Sequence, residues 1–335
     1  MKRTLQISGI VALTALFLYL FLRNADLAAV GRMLRSVNVF WVALALAVNL
    51  SALFFRTVRW RTLLDPDNPP PFYATFFANA VGYMLSTVLP IRAADVARPV
   101  LIARRTNHRV SGALGTILTE RVLDLFSILV LFVYFAARRW TEFSTNPATA
   151  KWFFIVKSGA IAATAVLAAL GTFMVGLYFF SDSIRRLHEW LGRFVPKRFR
   201  DSWMHFFDTF VETLEIVKHR TAFAKVILCT AGIWAALTGQ FYIASLALAR
   251  PVPYDATFFI TGVGALSLAI PTPGGVGGFH KVCQLVLTHF YAFDIDSSVA
   301  TAFLYHLVGT VPVIVTGLTL FVRQGLRLRD VTNAP

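Results

Sequence analysis

The stretch PFYATFFANAVG (residues 71–82) recurs 182 residues later, without a gap, as PYDATFFITGVG (residues 253–264). Seven of the twelve positions are identical, where chance in so apolar a chain gives about one or two. Each copy stands shortly before a helix-breaking motif, Pro-Ile-Arg at residues 90–92 in the first case and Pro-Thr-Pro-Gly-Gly at residues 271–275 in the second. The repeat therefore indicates that one structural unit occurs twice in the chain.

The composition is that of a membrane protein. Of the 335 residues, 57% are hydrophobic and 15% are charged, whereas about a quarter of the residues in a soluble domain are charged. Six apolar runs are each near or above the roughly 20 residues that a helix needs to cross a bilayer. These runs are 5–22, 40–55, 113–137, 152–180, 226–249 and 299–322. No A-x-A cleavage site follows Leu22, so the first run is predicted to be an anchor and not a signal peptide.

Charge and cysteine content exclude two other classes of protein. The formal net charge is +15, but the basic residues are scattered between the apolar runs, as the positive-inside rule and attraction to anionic lipids predict. A nucleic-acid-binding module would gather them on one soluble face, so no nucleic-acid partner is expected. Cys229 and Cys283 both lie in apolar stretches, which excludes a disulfide framework.

Two further apolar stretches, 72–89 and 254–270, contain the repeat, and each could cross the membrane or enter it and return. If 72–89 crossed the membrane, the arginines that follow it would face the opposite side from Arg56, Arg59 and Arg61. A re-entrant path places all of them on one side, together with Lys2, Arg3, most of 185–225 and the last arginines of the chain. The sequence therefore predicts two re-entrant hairpins.

These observations predict an all-α polytopic membrane protein with six full transmembrane helices plus two re-entrant helical hairpins in an inverted repeat. Residues 1–335 form a single integral membrane domain of the cell (cytoplasmic or inner) membrane, with both termini cytoplasmic. Each half contains three crossings, so the second half is upside down relative to the first. The halves are 1–137 and 152–322, joined by an external connection at 138–151 and followed by a cytoplasmic tail at 323–335.

Broken helices at matching positions of two inverted halves indicate the substrate site of a transporter, because exposed backbone groups are tolerated in a membrane only where they line a polar cavity. The alternative is that the repeat serves only packing.

Residues 181–225 have no counterpart in the first half. Their aromatic residues recur at helical spacing between charges, which predicts a basic amphipathic helix on the inner membrane surface; a docking helix for a protein partner is the alternative.

The fourth apolar element contains ionisable residues, in the stretch ALGTILTERVLD at residues 113–124. Such groups cost about 2.5 to 3.5 kcal/mol each near the centre of a membrane helix. Glu120 and Asp124 share one helical face, and Arg121 can pair with Asp124 at a spacing of three residues. One acid is left over, and its expected counter-charges are Arg92 and Arg98 in the stretch PIRAADVAR at residues 90–98.

Together these motifs resemble the lysylphosphatidylglycerol synthase transmembrane-region family, the flippase-like domain. The resemblance rests on P-x-R-x-x-D-x-x-R, on E-R-x-x-D some twenty residues later, on PGGVG at residues 273–277, and on FRTVRWR at residues 55–61, which is similar to the R-W motif of the family. It implies lipid translocation or lipid handling. It implies no synthesis of an aminoacylated lipid, since the soluble aminoacyl-transferase domain of larger members has no counterpart in these residues.

The resemblance carries substrate-binding roles to Arg92, Asp95, Arg98, Glu120, Arg121 and Asp124. At three places the sequence departs from the family. The P-x-R-x-G of the family is replaced by PIRAA at residues 90–94. His280 stands where a glutamate usually follows the glycine motif, and Tyr305-His306 stands where the last span often has an arginine. The two histidines are predicted either to be packing residues or to form a proton-sensitive pair.

The glycine motif predicts an anion site. Gly274, Gly275, Gly277 and Gly278 allow close approach of the backbone, and Pro273, which opens the motif, is counted with Gly274, Gly275 and Gly277 among the substrate-binding residues. If a helix starts near Gly277, its free N–H groups suit a phosphate or a carboxylate. Arginines supply fork-shaped donors that match phosphate, so an anionic lipid headgroup is the expected ligand.

Three functions are compatible with these features. The first is a lipid flippase that holds a headgroup phosphate between the two hairpins. The second is an intramembrane lipid-modifying enzyme, although the chain contains no H-E-x-x-H or G-x-S-x-G motif; no catalytic residue, metal or cofactor is predicted, and Asp65-Pro-Asp67 is expected to form a turn. The third is an accessory subunit of a lipid or glycan biosynthesis system that is held by a lipid-synthesis enzyme.

Overall fold

The computed structural model describes residues 2–88, 94–145, 150–192, 219–248, 250–267 and 272–326, and the single residues 200, 204 and 216. Within these ranges every regular element is helical, as predicted. The helices are α1 (Lys2–Leu22), α2 (Leu27–Arg35), α3 (Val39–Leu64), α4 (Phe72–Val88), α5 (Ala94–Ala103), α6 (Val110–Arg138), α7 (Trp140–Thr145), α8 (Ala150–Gly192), α9 (Arg220–Ser245), α10 (Tyr254–Ser267), α11 (Gly278–Tyr291) and α12 (Ile295–Arg323). A short 3₁₀ turn, Pro273–Gly275, precedes α11.

Several helices begin where the sequence supplies a side-chain cap. The carboxylate of Asp26 accepts hydrogen bonds from the N–H groups of Ala28 and Ala29 at the start of α2, and Asp294 accepts one from Ser297 at the start of α12. Such caps satisfy backbone donors that have no partner inside the helix. Asp65 accepts from the N–H groups of residues 67 and 68 after α3 ends, so the predicted turn at Asp65-Pro-Asp67 is confirmed.

The protein has four or five candidate membrane spans among the described residues. Four segments are long and apolar enough to cross a bilayer: α3, the Phe154–Thr172 part of α8, α9 and α12. A fifth candidate is bent by 84° between Ile10–Leu22 and Leu27–Arg35. Helix α6 has 29 residues, but it carries Glu120, Arg121 and Asp124. The predicted total of six spans and two re-entrant hairpins therefore stays a prediction.

Helices at matching places in the two parts of the chain have equal lengths and related contacts. Helices α3 and α9 have 26 residues each, and α6 and α12 have 29 each. Among the described helices, α3 and α9 form the most extensive pair. The first copy of the repeat, α4, packs on α12, and the second copy, α10, packs on α6. Each part of the chain therefore packs its repeat helix on the last helix of the other part.

Each repeat helix and the helix after it form a hairpin that returns to its starting end. Gln324, just after α12, donates to the hydroxyl of Tyr73 at 3.5 Å and accepts from Arg105 at 3.0 Å. Tyr73 begins α4 and Arg105 follows α5, so these ends of the first hairpin lie together. Arg139, just after α6, donates to Asp255 at the start of α10, and its guanidinium lies 5.8 Å from the ring centroid of Tyr291 at the end of α11.

The predicted amphipathic segment is only partly described. Helix α8 continues without a break to Gly192, so the first residues of 181–225 prolong that helix, and α9 begins at Arg220. Most of the region between them, 193–218, lies outside the described residues. Ile216 is buried in a cluster with Leu63 and Val226, which attaches this point of the segment to the ends of α3 and α9.

Arg139 links the end of α6 to the start of α10 through Asp255, and this ion pair gives a pH-dependent prediction. Burial alone would raise the pKa of Asp255, but hydrogen bonds from Arg139 outweigh it and lower that pKa. A lowered carboxyl pKa contributes stability above about pH 4, the usual range of a free carboxyl, and the contribution is lost as the pH falls further. We expect Asp255→Asn to cost about 1 kcal/mol at pH 7.

The measurement is thermal unfolding in detergent at pH 7 and at a pH below 4, with Asp67→Asn as the control. Asp67 is an exposed acid of a turn. The difference between wild type and Asp255→Asn should shrink at the lower pH, and Asp67→Asn should show no difference at either pH. An equal loss at both pH values would contradict the ion-pair explanation.

Candidate functional site

Helices α3, α5 and α6 bring three charged side chains to one buried point. Arg59, Arg98 and Glu120 are each 0% exposed. The Nη2 atom of Arg98 lies 2.8 Å from Oε2 of Glu120, and Nε of Arg59 lies 3.5 Å from Oε1. The carboxylate of Glu120 therefore stands between two guanidinium groups.

The cluster continues to both sides of this point. Arg59 donates to Asp124 at 2.8 Å and to the hydroxyl of Thr230 in α9 at 3.3 Å. Arg121 lies 3.5 Å from Asp95 and 3.8 Å from Asp124. Three arginines thus face three carboxylates, and this balance makes the burial of so many charges tolerable, because each charge has an opposite charge as its neighbour.

Aromatic rings hold Arg98 in place. Its guanidinium lies 4.2 Å from the ring centroid of Trp60 and 5.1 Å from that of Tyr83, and it donates to the hydroxyl of Tyr83 at 3.3 Å. The indole of Trp60 donates to Thr116 at 2.9 Å, which fixes the ring. A guanidinium over an aromatic face gains cation–π attraction, so Arg98 is oriented before any ligand arrives.

Several atoms of the cluster keep hydrogen-bonding capacity. Nε of Arg59, Nε and Nη2 of Arg98 and both carboxylate oxygens of Glu120 are buried and have no well-aligned hydrogen bond among the described residues. The 2.8 Å contact of Arg98 with Glu120 therefore joins the charges by proximity and not by alignment. Buried polar atoms in native proteins nearly always have hydrogen-bond partners, so the arginine N–H groups among these atoms suit an additional oxygen-rich group.

A second group of polar residues surrounds the glycine motif. The rings of His280 and His306 have centroids 4.5 Å apart. Nε2 of His306 lies 3.0 Å from the carbonyl oxygen of Gly274, and the N–H of Gly277 donates to Nδ1 of His280 at 3.4 Å. Both histidines therefore hold the turn that precedes α11.

Two glycines of this turn are required by conformation and by space. Gly274 has φ 58° and Gly277 has φ 84°, a region that favours glycine. A Cβ atom on Gly274 would lie 2.7 Å from the carbonyl oxygen of Thr87, and one on Gly277 would lie 2.8 Å from Cβ of Phe17. The turn thus touches the end of α4 and the side of α1.

Helix α4 connects the two groups of residues. Tyr83 contacts Arg98 in the charged cluster, and Thr87, whose hydroxyl donates to the carbonyl of Tyr83, contacts Gly274 in the turn. One helical turn of α4 therefore separates a neighbour of the charged cluster from a neighbour of the histidine pair. The ends of the two hairpins meet at this place.

The structure brings together most of the predicted site residues in two groups. The first group consists of Asp95, Arg98, Glu120, Arg121 and Asp124. In it Arg98 pairs with Glu120, so the acid that Arg121 leaves unpaired has one of its two expected counter-charges. The second group is Pro273, Gly274, Gly275, Gly277, His280 and His306. Arg92 lies outside the described residues. Helix α11 begins at Gly278, and the N–H of Gly277, one of the donors expected to meet an anion, instead points to His280.

Sequence reasoning did not identify four contributors to the site: Arg59, Trp60, Tyr83 and Thr230. Arg59 and Trp60 belong to the R-W motif FRTVRWR at residues 55–61, and this motif was the available signal for them. Arg59 lies in the last turns of a long apolar helix, where an arginine is normally expected to reach the membrane surface. Nothing in the local sequence indicates that it turns inward to Glu120.

The fold and site define a helical membrane protein in which a charged cluster is buried where two hairpins meet. The chain belongs to the lysylphosphatidylglycerol synthase TM region family, whose sequence profile matches residues 6–317. This confirms the resemblance seen in the motifs. The chain is also similar to a protein named Glycosyltransferase AglD from Haloferax volcanii, with 24% identity over 368 residues. That alignment covers 98% of this chain and 57% of the relative, so the chain spans little more than half the length of that protein.

Proposed function

We propose that the protein binds a lipid with a phosphate-bearing headgroup and moves it between the two leaflets of the membrane. The observation that carries this proposal is the pair of buried guanidinium groups, Arg59 and Arg98, that flank Glu120 with donors still available. A phosphate presents several acceptor oxygens and matches the fork of an arginine. It can take the place of the carboxylate of Glu120 as the partner of Arg98.

The proposal includes an inverted arrangement of the two halves with re-entrant hairpins. Its support is that the α4–α5 hairpin starts and ends beside the C-terminus of α12, whereas the α10–α11 hairpin starts and ends beside the C-terminus of α6. Two hairpins that enter from opposite ends and meet at Thr87 and Gly274 give a site that each leaflet can reach in turn. Rocking of one half against the other would expose it to one side at a time.

A groove at the far end of the bundle gives the lipid a path. It has a volume of about 820 Å³ and lies between α6, α7 and α10. The apolar Val130, Leu131 and Phe258 line it together with the more polar Tyr134, Arg138, Arg139, Thr141, Glu142, Tyr254 and Asp255. Helix α6 carries Glu120 nearer its start, so the groove and the charged cluster lie along the same helix. We assign the groove to the hydrocarbon chains while the headgroup passes the cluster.

The test is movement of a fluorescent phospholipid between leaflets of proteoliposomes that contain the full chain. We expect Arg98→Gln to slow this movement at least about tenfold, since a charged hydrogen bond contributes about 1.5–3 kcal/mol. Arg98→Lys should recover only part of the rate, because lysine keeps the charge but lacks the fork. Arg109→Gln is the matched control, since Arg109 is exposed and makes no side-chain cap bond at α6. Unchanged movement in folded Arg98→Gln would contradict the proposal.

The relative's name favours a second candidate within the same membrane context, a membrane unit of a glycan biosynthesis system that handles a lipid-linked sugar. The observation in favour is the alignment of nearly the whole chain with a protein named as a glycosyltransferase. The same proteoliposomes can separate the two candidates. Movement of a polyprenyl-phosphate lipid but not of a glycerophospholipid would favour the second candidate, and so would a stoichiometric lipid-synthesis enzyme captured in mild detergent.

A further inference from the structure

The second hairpin and the helix after it form a pair of histidines, at the place where the first hairpin and the helix after it form a buried ion pair. At the 182-residue offset of the sequence repeat, His280 is the counterpart of Arg98. Arg98 lies on the second helix of its hairpin and contacts Glu120 on the next helix at 2.8 Å. His280 likewise lies on the second helix of its hairpin and contacts His306 on the next helix. Of the two pairs, the histidine pair is the one made of side chains whose ordinary pKa lies near neutral pH.

Each histidine is tied to the backbone of the turn between α10 and α11. His280 accepts the N–H of Gly277 at Nδ1, and His306 lies 3.0 Å from the carbonyl oxygen of Gly274. A neutral imidazole has one acceptor nitrogen and one donor nitrogen. The contact at Gly277 needs His280 to be unprotonated at Nδ1, so a proton there removes one of the two attachments of the turn.

The neighbours of the two rings are apolar. The rings contact Phe21 of α1, Phe279 of α11 and Phe303 of α12, and α4 approaches the turn with Thr87. The nearest titratable groups on these helices point elsewhere: Lys281 donates to Gln284, Tyr83 faces Arg98, and Tyr305 stacks on Phe241, while Cys283 is buried one turn from His280. No carboxylate or cationic group contacts either ring among the described residues. A charged ring at this place would therefore be poorly stabilised.

We propose that His280 and His306 form a proton-binding site: when neutral, the pair holds the Pro273–Gly277 turn closed, and a proton on Nδ1 of His280 breaks the contact with Gly277 and releases the turn at that point. The proton comes from water and adds to a ring nitrogen, and only hydrogen bonds break. Release frees the N–H of Gly277 and gives the charged ring access to water or to an anion. Because this turn meets α4 beside the charged cluster, proton binding and phosphate binding would favour the same open turn. The inference extends the proposed function by adding a proton to the transport step.

The experiment places a reporter thiol at Thr272→Cys in the full chain, reconstituted in lipid nanodiscs. Thr272 adjoins the turn and is only 6% exposed, and the native Cys229 and Cys283 are buried. Labelling by a hydrophilic thiol reagent is measured against an exposed reference thiol at Ser144→Cys, which corrects for the effect of pH on the reagent. We expect relative labelling at residue 272 to rise about fivefold or more between about pH 7.5 and pH 5.5.

Three variants make the result specific. His280→Gln combined with His306→Gln should abolish the rise, since glutamine does not titrate, whereas His219→Gln should leave it intact because His219 is exposed at the start of α9. His280→Arg with His306→Glu copies the ion pair of the first half and should hold labelling low at every pH. A flat response in the wild type, or an equal rise in the double glutamine variant, would overturn the proposal. Labelling does not depend on transport. A pH response of labelling without any lipid movement would therefore contradict the proposed function but still support the proton-binding site.

Discussion

Glu120→Gln is expected to lower the free energy of unfolding by about 3–5 kcal/mol, the usual result of removing one partner of a buried ion pair. The reason is specific to Arg98. Arg59 retains Asp124 at 2.8 Å, but Glu120 is the carboxylate that faces Arg98 among the described residues. Without it, a fully buried guanidinium keeps aromatic rings and one hydroxyl as its side-chain neighbours among the described residues. Lipid binding should fail together with stability, because the two guanidinium groups then repel each other.

A double-mutant cycle separates the ion pair from general damage. Arg98→Gln together with Glu120→Gln removes both charges, and it should be more stable than Glu120→Gln alone, because no buried charge remains unpaired. The double variant should still fail to move lipid. Glu142→Gln is the matched control, since Glu142 is a partly exposed acid that pairs with Arg139 at the end of α6. Additive losses in the cycle would show that Arg98 and Glu120 act independently and would contradict the site as described.

The sequence predicted five of the six charged residues of this cluster because the signal was local. Glu120, Arg121 and Asp124 lie within five residues of one apolar helix, where a charged side chain is costly unless it has a partner. Arg98 lies in the broken stretch that precedes this helix. Arg59 was missed because its partner lies on a helix that comes much later in the chain. Periodicity tells which face of a helix is apolar, but not which helix will stand opposite that face.

The repeat predicted the overall plan for a similar reason. Two copies of one sequence indicated two copies of one hairpin, and the structure places each copy against the last helix of the other part of the chain. That interleaving could not be predicted from hydropathy, since every apolar helix presents similar side chains to a neighbour. It depends on where small residues allow close approach, as at Gly317 of α12, where an added Cβ atom would overlap the backbone of Ala80 in α4. The bend between α1 and α2 likewise depends on the local cap at Asp26.

The two hairpins differ in a way that bears on the proposed transport step. Arginine is charged at every physiological pH, so the pairing of Arg98 with Glu120 changes only when another anion competes. His280 at the matching place of the second hairpin carries an imidazole, a side chain whose ordinary pKa lies near neutral pH. A repeat with one permanent and one titratable pair is not functionally symmetric, and the proposed proton step would therefore act on one half of the site and not on both.

The contact between α4 and α12 gives the second substitution with a large expected effect on stability. Gly317 faces α4 so closely that an added Cβ atom would overlap Cβ of Met84 and the carbonyl oxygen of Ala80. One of these obstacles is backbone, which cannot rotate away as a side chain can. Gly317→Ala should therefore destabilise the protein by about 3 kcal/mol, at the upper end of overpacking costs, even though alanine favours a helix over glycine by about 1 kcal/mol.

Gly309 provides the matched control on the same helix. A Cβ atom at Gly309 would meet nothing within 4 Å, so Gly309→Ala should be neutral or stabilising by up to about 1 kcal/mol. Thermal unfolding of both variants in the same detergent measures the difference directly. If Gly317→Ala unfolds at the wild-type temperature, α4 and α12 are not in backbone contact. The first hairpin would then not be anchored to the second half, and the meeting of Thr87 with Gly274, on which the shared site depends, would have to be abandoned.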